Sequence, residues 1–479
     1  MVEACGAAPQ GLDAFFAPRG IAVVGASAEP GGPGHQIVAQ LQQTHYAGGV
    51  YPVNPRATEV RGLPCYPTVL QVPGSVDLAV VVVPAPACLV VAAQLASRRQ
   101  QRGDAAAAVV VSGGFAETGP AGRDLQDQLA RTLRAAGIRL VGPNCLGVAD
   151  AHTGLTTSFD LGPYPAGGAS LLSQSGAFVM SFLQWARPLE MVGLCKLASV
   201  GNMADVSLTE LLAYLAEDRC TRVVGIYLEG VQDARGFVQT AARVARRKPV
   251  VVLKPGRTEA GGRAAQSHTG TVASPDAIYD GAFRQAGVVR ARTVSEFYGV
   301  VRAFERLPLP RGGRVAVLSA VGGPGTVCVD EVASEPRLQL ARFSPRTSQQ
   351  LRAVLSELAT VGQPDGYVDM TGALVARTHG DALRVLLEDD GVDAVILLTP
   401  PPAFLDEQEV AQSVLEAYRE QPPDRAKPVL VVLTFGDAAM AARKTLEKGG
   451  LCTFEFPEEA VRVLARMVEY AQARHRFQR

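Results

Sequence analysis

The sequence lacks both an excess of one charge and a long apolar run. Its 46 Lys and Arg residues are balanced by 46 Asp and Glu residues, so we expect no nucleic acid and no anionic membrane surface as a partner. Apolar runs such as residues 76 to 83 have the length of a strand, far short of the roughly 20 residues of a membrane span. The sequence therefore predicts no transmembrane helix.

Secretion signals and metal-ligand spacings are missing as well. The first residues do not combine a basic start with an apolar core and a cleavage site, so the cytoplasm is the expected location. The eight cysteines include no CxxC pair, and no histidine stands at a metal-ligand spacing. We therefore predict reduced, mostly buried thiols and no metal site.

What the chain does contain is an alternation of short valine-rich runs with amphipathic helical stretches. This pattern predicts an α/β protein built from parallel sheets with helices on both faces. At about 150 residues per domain, 479 residues suggest about three domains. The strand candidates form three series: residues 21–24, 50–53, 78–83, 107–112 and 138–141; residues 169–172, 195–199, 223–228 and 250–253; and residues 315–319, 368–370, 392–398, 429–433 and 453–456.

A segment rich in proline and glycine separates the second series from the third. It reads Leu307-Pro-Leu-Pro-Arg-Gly-Gly313 and lies between a helical stretch and a new strand, which is typical of a linker. The predicted domains are therefore residues 1–150, 151–306 and 307–479.

The first strand is followed by a glycine-rich loop, Val24-Gly-Ala-Ser-Ala-Glu-Pro-Gly-Gly-Pro-Gly-His35, whose amides can meet phosphates. The loop lacks the GxGxxG order, and Pro52-Val-Asn-Pro-Arg56 stands where an acidic residue would bind a ribose, so nicotinamide cofactors are disfavoured. Arg56 suits a terminal phosphate such as the one that coenzyme A carries on its ribose. An ordinary surface arginine fits the sequence equally well.

Two further strand-to-helix turns are candidates for anion binding. The first contains Ser173, Gln174, Ser175 and Gly176, and the second runs from residue 319 to residue 325. Free amides and the positive end of a helix dipole could hold a phosphate at either turn. Every βα unit needs such a turn, so a purely structural role remains open for both.

His268 and Glu229 are the candidates for chemistry. His268 lies in residues 254–270, which we predict to be a polar, glycine-rich loop in which an imidazole could accept and release a phosphoryl group. Glu229 follows a predicted strand and should lie at the carboxyl edge of its sheet, where it could fix the tautomer of a histidine. A solvated histidine and a helix-capping or solvated glutamate remain the alternatives.

Eight short motifs occur in order along almost the whole chain. They are Val24-Gly-Ala-Ser27, Tyr51-Pro-Val-Asn-Pro55, Gly142-Pro-Asn-Cys-Leu-Gly147, Leu172-Ser-Gln-Ser-Gly-Ala177, Ser199-Val-Gly-Asn-Met-Ala-Asp205, Tyr227-Leu-Glu-Gly230, Ser267-His-Thr-Gly270 and Gly322-Gly-Pro-Gly325. With these motifs the chain resembles the alpha subunits of ADP-forming acetate–CoA ligases, which are relatives of succinyl-CoA synthetase.

The resemblance implies a Rossmann-like CoA-binding domain followed by two flavodoxin-like domains with doubly wound parallel sheets. It implies that His268 is phosphorylated and that Glu229 stabilises it. The phosphate-binding residues that it implies are Ser173, Gln174, Ser175, Gly176, Gly322, Gly323 and Gly325. The coenzyme A positions that it implies are Gly25, Ala26, Ser27, Asn54, Pro55, Arg56, Val83 and Pro84.

The implied reaction converts acyl-CoA, ADP and phosphate into a carboxylic acid, with acetate favoured, ATP and CoA, through an acyl phosphate and a phosphohistidine. The chain has no GxxxxGK(S/T) loop, and it leaves no room for an ATP-grasp module of about 200 residues. A separate ATP-grasp beta subunit in an α2β2 assembly is therefore the expected partner, and Mg²⁺ would arrive there with ADP or ATP. The alternative is a catalytically silent, CoA-binding regulatory module.

Overall fold

The computed structural model describes residues 11–159, 162–269, 276–371, 375–399, 405–433 and 437–478. The chain forms two compact units. One contains the residues up to Trp185 together with Gly193–Arg290, and the other contains Ala186–Val192 and Ala291–Arg479. In the ranges given above, none of the helices combines the length and the apolar character that crossing a bilayer requires.

The first sheet, in the first unit, is entirely parallel, with the strand order β2-β1-β5-β6-β7. Strands β3 and β4 form a separate hairpin. The elements in chain order are α1 Asp13–Phe16, β1 Gly20–Val24, α2 Pro33–Gln43, β2 Gly49–Val53, β3 Glu59–Val60, β4 Leu63–Pro64, β5 Leu78–Val81, α3 Ala85–Arg102, β6 Ala107–Val110, α4 Pro120–Ala135 and β7 Arg139–Val141.

Alternate residues of strand β1 enter two different hydrophobic cores. Ile21 and Val23 pack with residues of α1 and α2 on one face. Ala22 and Val24 pack with residues of α3 and α4 on the other face. A strand that is buried on both sides needs apolar residues at every position, which explains the unbroken apolar sequence of β1.

The second sheet also belongs to the first unit and has the order β14-β13-β12-β10-β11-β8-β9. Its elements are β8 Gly147–Asp150, β9 Leu155–Thr156, β10 Ala166–Ser173, α5 Gly176–Ala186, β11 Leu194–Ser199, α6 Leu208–Glu217, β12 Val223–Tyr227, α7 Ala234–Ala245, β13 Val250–Leu253, α8 Glu259–Thr269, α9 Asp276–Ala286 and β14 Val289–Ala291. Strands β10 to β13 are parallel, whereas β8 and β9 run antiparallel at one edge. The parallel sheet expected here therefore carries an antiparallel edge.

The third sheet lies in the second unit and has the order β17-β18-β15-β19-β20-β21, with β16 beside β15. The elements are α10 Val294–Arg306, β15 Arg314–Ser319, α11 Gly322–Ser334, β16 Gln339–Leu340, α12 Pro345–Val354, β17 Thr360–Val361, β18 Tyr367–Asp369, α13 Ala376–Glu388, β19 Ala394–Leu398, α14 Glu407–Arg419, β20 Val429–Val432, α15 Asp437–Lys448, β21 Cys452–Phe454 and α16 Pro457–Gln478. Strand β17 is antiparallel to β18, so this sheet is mixed as well.

The α/β class is confirmed, and every predicted strand coincides with an observed one. The predicted loop over residues 254–270 is wrong in part, because Glu259–Thr269 forms helix α8. Thr258 begins this helix: its Oγ1 accepts a hydrogen bond from the N–H of Gly261 at 3.1 Å. The limits 1–150, 151–306 and 307–479 stay predictions; α10, which ends the predicted second domain, lies in the second unit.

Candidate functional site

The residues predicted to bind coenzyme A come together at the carboxyl edge of the first sheet. Gly25, with φ +95°, follows β1, and its N–H donates to the carbonyl of Val53 at the end of β2. The side-chain amide of Asn54 donates to the carbonyl of Ala26 at 2.6 Å. The first two loops of the sheet are therefore tied to each other by hydrogen bonds.

The loop after β5 joins this cluster. A Cβ atom on Gly25 would lie only 3.0 Å from Cγ1 of Val83, so glycine allows the first and third loops to approach closely. Pro84 is the N-cap residue of helix α3. Arg56 is exposed, and its N–H donates to Oδ1 of Asn54 at 2.9 Å. The structure thus assembles Gly25, Ala26, Asn54, Arg56, Val83 and Pro84 along one edge.

His35 lies at the end of the glycine-rich loop after β1, and no role was predicted for it. Its ring is buried, and Nδ1 donates to the carbonyl of Ser27 at 2.9 Å. Nε2 then accepts from Nη1 of Arg61 at 3.3 Å, and Arg61 lies on the turn between β3 and β4. The two bonds require the neutral tautomer with the proton on Nδ1, and they hold the glycine-rich loop against the hairpin.

The edges of the first and second sheets meet through the loops that follow β7 and β11. Gly201 has φ +52°, and a Cβ atom there would lie 2.2 Å from the carbonyl oxygen of Asn144 and 2.3 Å from that of Pro143. Nδ2 of Asn202 donates to Oε2 of Glu117 at 2.6 Å. These contacts were not predicted, because they join residues that are far apart in the sequence.

The turn from Ser173 to Gly176 lies beside this junction. Oγ of Ser173 accepts from the N–H of Ser175 at 3.0 Å and donates to the carbonyl of the same residue at 2.7 Å. Helix α5 begins at Gly176, where an added Cβ would lie 3.2 Å from Cβ of Leu146. The N–H of Phe178 donates to Oγ of Ser175 at 3.3 Å, so the amides of Gly176 and Ala177 are the ones that an anion could use at this helix start.

Gln174 uses its side chain to hold the segment after β12. Its Oε1 accepts hydrogen bonds from the N–H groups of Glu229 at 2.6 Å and Gly230 at 3.0 Å, and its Nε2 donates to the carbonyl of Gly230 at 3.0 Å. Burial, together with the carboxylate of Glu229, raises the pKa of Tyr227 to about 12. The ring of Tyr227 stacks on Phe178 of α5 at 4.2 Å. The predicted phosphate turn and the predicted carboxylate are therefore neighbours.

His268 lies near the end of helix α8, which follows β13 after a short connection. Its side chain is outside the described residues, so its contact with Glu229 stays a prediction. Strands β12 and β13 are adjacent and parallel, with Tyr227 opposite Leu253. Glu229 and the helix that carries His268 therefore follow neighbouring strands.

The glycine turn of the third sheet repeats the geometry of the second. Oγ of Ser319 accepts from the N–H of Val321 at 3.2 Å and donates to its carbonyl at 2.6 Å. Helix α11 begins at Gly322, and both Gly322 and Gly323 are exposed. At Gly325 an added Cβ would lie 2.4 Å from the hydroxyl of Tyr367, so a side chain is excluded there. A shared phosphate between this helix end and α5 stays a prediction.

Family models match three consecutive parts of the chain. A CoA binding domain matches residues 19–151, a succinyl-CoA ligase like flavodoxin domain matches residues 166–304, and a ligase-CoA domain matches residues 315–478. Together they support the CoA-binding and flavodoxin-like folds expected from the sequence.

Similar proteins extend this match over nearly the full length. The alpha subunit of ADP-forming acetate–CoA ligase II of Pyrococcus furiosus is 37% identical over 464 residues, which cover 96% of this chain and 98% of that subunit. ADP-forming acetate–CoA ligase I of Archaeoglobus fulgidus is 35% identical, and the match covers 96% of this chain but 64% of that protein. Acetyl-coenzyme A synthetase 1 of Ca. Korarchaeum cryptofilum, solved with phosphate and ADP, gives a TM-score of 0.89 at 34% identity and 97% coverage of both chains.

Proposed function

The chain belongs to the alpha subunits of the ADP-forming acetate–CoA ligases, and on this basis we propose that it is the acid–CoA ligase subunit that carries the phosphorylated histidine. The reaction interconverts acyl-CoA, ADP and phosphate with a carboxylic acid, ATP and CoA. Acetate is the acid we propose, because similar proteins are named for it.

Coenzyme A is proposed to bind along the carboxyl edge of the first sheet. The support is the cluster of loops that Gly25, Asn54 and Val83 hold together, with the exposed Arg56 at the same edge. Arg56 would pair with a phosphate of the coenzyme, since a guanidinium binds phosphate through two parallel hydrogen bonds.

The chemistry is proposed to pass through two intermediates. An oxygen of inorganic phosphate attacks the thioester carbonyl, the C–S bond breaks, and CoA leaves as the thiol after protonation. A ring nitrogen of His268 then attacks phosphorus, and the carboxylate leaves with the electrons of the P–O bond. A terminal oxygen of ADP finally takes the phosphoryl group and frees the imidazole.

One observation carries this mechanism. Gln174 holds the backbone of Glu229 beside the amino end of helix α5. Glu229 follows β12, and the neighbouring strand β13 leads to the helix that carries His268. A carboxylate in this position can hold one imidazole nitrogen and leave the other nucleophilic. The amides at the amino end of α5 would stabilise the charge of the transferring phosphoryl group, and Gly322 and Gly323 at the start of α11 stay predicted phosphate-binding positions.

The nucleotide is proposed to bind on a partner. The Archaeoglobus fulgidus ligase is about half as long again as this chain, whereas the Pyrococcus furiosus relatives are named as alpha subunits. We propose an ATP-grasp beta subunit, an α2β2 assembly in the cytoplasm, and delivery of Mg²⁺ with ADP on that partner. In the described part of the chain, no three His, Cys, Asp or Glu side chains are grouped to hold a metal ion.

The alternative is a CoA-binding regulatory module without turnover. Replacement of His268 or Glu229 in the sequence would have favoured it, but both residues are present.

The test is to copurify the chain with its ATP-grasp partner and to measure ATP formed from acetyl-CoA, ADP and phosphate. We expect turnover in the wild type and a raised KM for acetyl-CoA in Arg56→Ala. CoA binding without ATP formation, for acetyl-CoA and longer acyl-CoAs alike, would favour the module.

A further inference from the structure

Lys254 is a buried ammonium group at the edge where the proposed chemistry takes place. It directly follows Leu253, the last residue of β13, and only 6% of its surface is exposed. The N–H of Leu228 donates to the carbonyl of Leu253 at 3.0 Å, so the two strands are in register up to their ends. Lys254 and Glu229 therefore emerge from adjacent strands at the same edge.

The ammonium group of Lys254 has a carbonyl, an aromatic ring and charged groups around it. Nζ donates to the carbonyl of Pro255 at 2.8 Å and lies 4.8 Å from the centre of the Tyr279 ring. Burial lowers the pKa of Lys254 and the charge of Arg290 lowers it further, whereas the carboxylates of Asp276 and Glu229 raise it. A buried ammonium is costly unless such partners compensate it.

Arg290 is a second buried cation in this region, and it is already held in ion pairs. Arg290 is 6% exposed and forms ion pairs with Asp276 and, at 2.5 Å, with Asp280, both on helix α9. These pairs use its charge to hold the start of α9. Lys254 directly follows β13, and β13 is adjacent to β12, the strand that leads to Glu229.

The proposed reaction brings extra negative charge to this edge. A phosphoryl group carries a charge of about −1.5 to −2 at neutral pH, and the carboxylate of Glu229 would repel it. In a site with little water, one correctly placed positive charge offsets such repulsion far more effectively than it would in bulk solvent.

We propose that Lys254 is a positioning residue for the phosphohistidine step: its buried ammonium, at the strand end beside the one that leads to Glu229, attracts the Glu229 carboxylate and offsets the charge that arrives with the phosphoryl group. This inference rests on the proposed function, because it assigns Lys254 to the same reaction.

Lys248 offers a matched control on the same strand. It precedes β13, at the opposite end from Lys254, and its Nζ donates to the carbonyl of Leu215 at 2.8 Å and to that of Asp218. Burial lowers the pKa of Lys248 too. The two lysines therefore flank the same strand at its opposite ends; Lys254 is buried and Lys248 is half-buried.

The experiment compares Lys254→Met, Lys254→Arg and Lys248→Met in the chain with its partner. It measures the rate of protein labelling from acetyl-CoA and radiolabelled phosphate, the KM for acetyl-CoA and the thermal midpoint. We expect Lys254→Met to slow labelling by about 10- to 100-fold, less than the loss of a direct oxyanion donor, with the KM for acetyl-CoA unchanged. Lys254→Arg should recover part of the rate, and Lys248→Met should label like the wild type.

A double mutant tests whether Lys254 acts through Glu229. If it does, Lys254→Met should slow labelling much less in a Glu229→Gln background than in the wild type. If the double mutant slows labelling by the product of the two single-mutant losses, Lys254 does not act through Glu229. Labelling of Lys254→Met at the wild-type rate would also overturn the proposal. If Lys254→Met does not fold, a folded Lys254→Arg with no labelling also overturns the proposal. An unlabelled wild type would instead reject the proposed function, and this inference with it.

Discussion

Gln174 and Glu229 are joined by one side-chain amide, which accepts from the N–H of Glu229 at 2.6 Å and both accepts from and donates to Gly230 at 3.0 Å. Gln174 was predicted to bind phosphate. In the structure its side chain bonds to the segment after β12, and its N–H donates to the carbonyl of Tyr227 at 3.3 Å. Phosphate binding by Gln174 stays a prediction. The amide couples the start of helix α5 to the carboxylate that is proposed to orient His268.

Removal of this amide should reduce phosphoryl transfer more than CoA binding. Gln174→Ala leaves two backbone N–H groups and one carbonyl without their partner, and we expect a loss of about 1–3 kcal/mol in unfolding free energy. The rate of histidine phosphorylation should fall by about 10-fold, which corresponds to a shift of about 1.4 kcal/mol in the barrier. Rapid-quench labelling and calorimetric CoA binding measure the two effects separately.

Gln421 provides the matched control. Its Oε1 accepts from the N–H of Lys427 at 2.8 Å, and its Nε2 donates to the carbonyls of Tyr418 and Lys427 at 3.3 Å. This clamp has the same chemistry but lies before β20, at the opposite end from the strand's carboxyl edge. Gln421→Ala should lower stability without slowing phosphorylation, and equal slowing in both variants would remove the special role of Gln174.

Gly201→Ala should disrupt the junction between the first two sheets. An added Cβ would meet two backbone carbonyl oxygens at 2.2 and 2.3 Å, and the positive φ disfavours any side chain. Backbone atoms cannot move aside cheaply, so we expect a loss of at least about 2 kcal/mol in the stability of the first unit. Urea unfolding followed by circular dichroism measures the loss.

The control for this substitution is Gly281→Ala in helix α9. An added Cβ at Gly281 meets nothing within 4 Å, and the position is exposed. Alanine favours a helix by about 1 kcal/mol over glycine, so this variant should be as stable as the wild type or more stable. A Gly201→Ala protein that unfolds at the wild-type urea concentration would show that the close approach is not maintained in solution.

Acid should lower the stability of the first unit, because the carboxylate of Asp218 becomes protonated. Burial alone would raise the pKa of Asp218, but hydrogen bonds from Thr221 and Lys196 lower it to about 2. A folded-state pKa below the unfolded value contributes stability that is fully present above about pH 4 and is lost as the pH falls toward 2. Asp218→Asn should therefore lose stability at neutral pH and show a flatter decline between pH 4 and pH 2.

Urea midpoints measured from pH 6 to pH 2.5 check this dependence. The effect amounts to about 2 kcal/mol, because one pKa unit corresponds to about 1.4 kcal/mol. Asp127→Asn, at an exposed position on helix α4, should leave the curve unchanged. An acid profile of Asp218→Asn that parallels the wild type would contradict the assignment.

The fourteen predicted strands could be recognised because most of them are short apolar runs, rich in valine, that end in glycine, proline or polar residues. Strands β8 and β9 were not predicted, and both are short. β8 (Gly147–Asp150) pairs antiparallel with β11, which lies more than 40 residues further along the chain, and β9 (Leu155–Thr156) pairs antiparallel with β8. The residues of a short strand do not by themselves indicate such a distant pairing strand.

Helix α8 was missed for a different reason. Its two glycines, Gly261 and Gly262, favour a loop by intrinsic propensity. Thr258 caps the first turn, and Glu259 pairs with Arg263 one turn later at 2.6 Å. These local signals were present in the sequence and indicate a helix start. In the candidate site the loops were identified one by one, while the contacts that join them, at His35, Gln174 and Gly201 among others, could be seen only in the fold.

The measurement that tests the account most directly is the location of the phosphoryl group. The chain, with and without its ATP-grasp partner, is incubated with acetyl-CoA and radiolabelled phosphate, and the acid-labile, base-stable label is mapped by peptide sequencing. We predict label on His268 in the wild type, none in His268→Asn, and slower labelling in Glu229→Gln. Label that persists in His268→Asn, or no label in a chain that binds CoA with its partner present, would contradict the account.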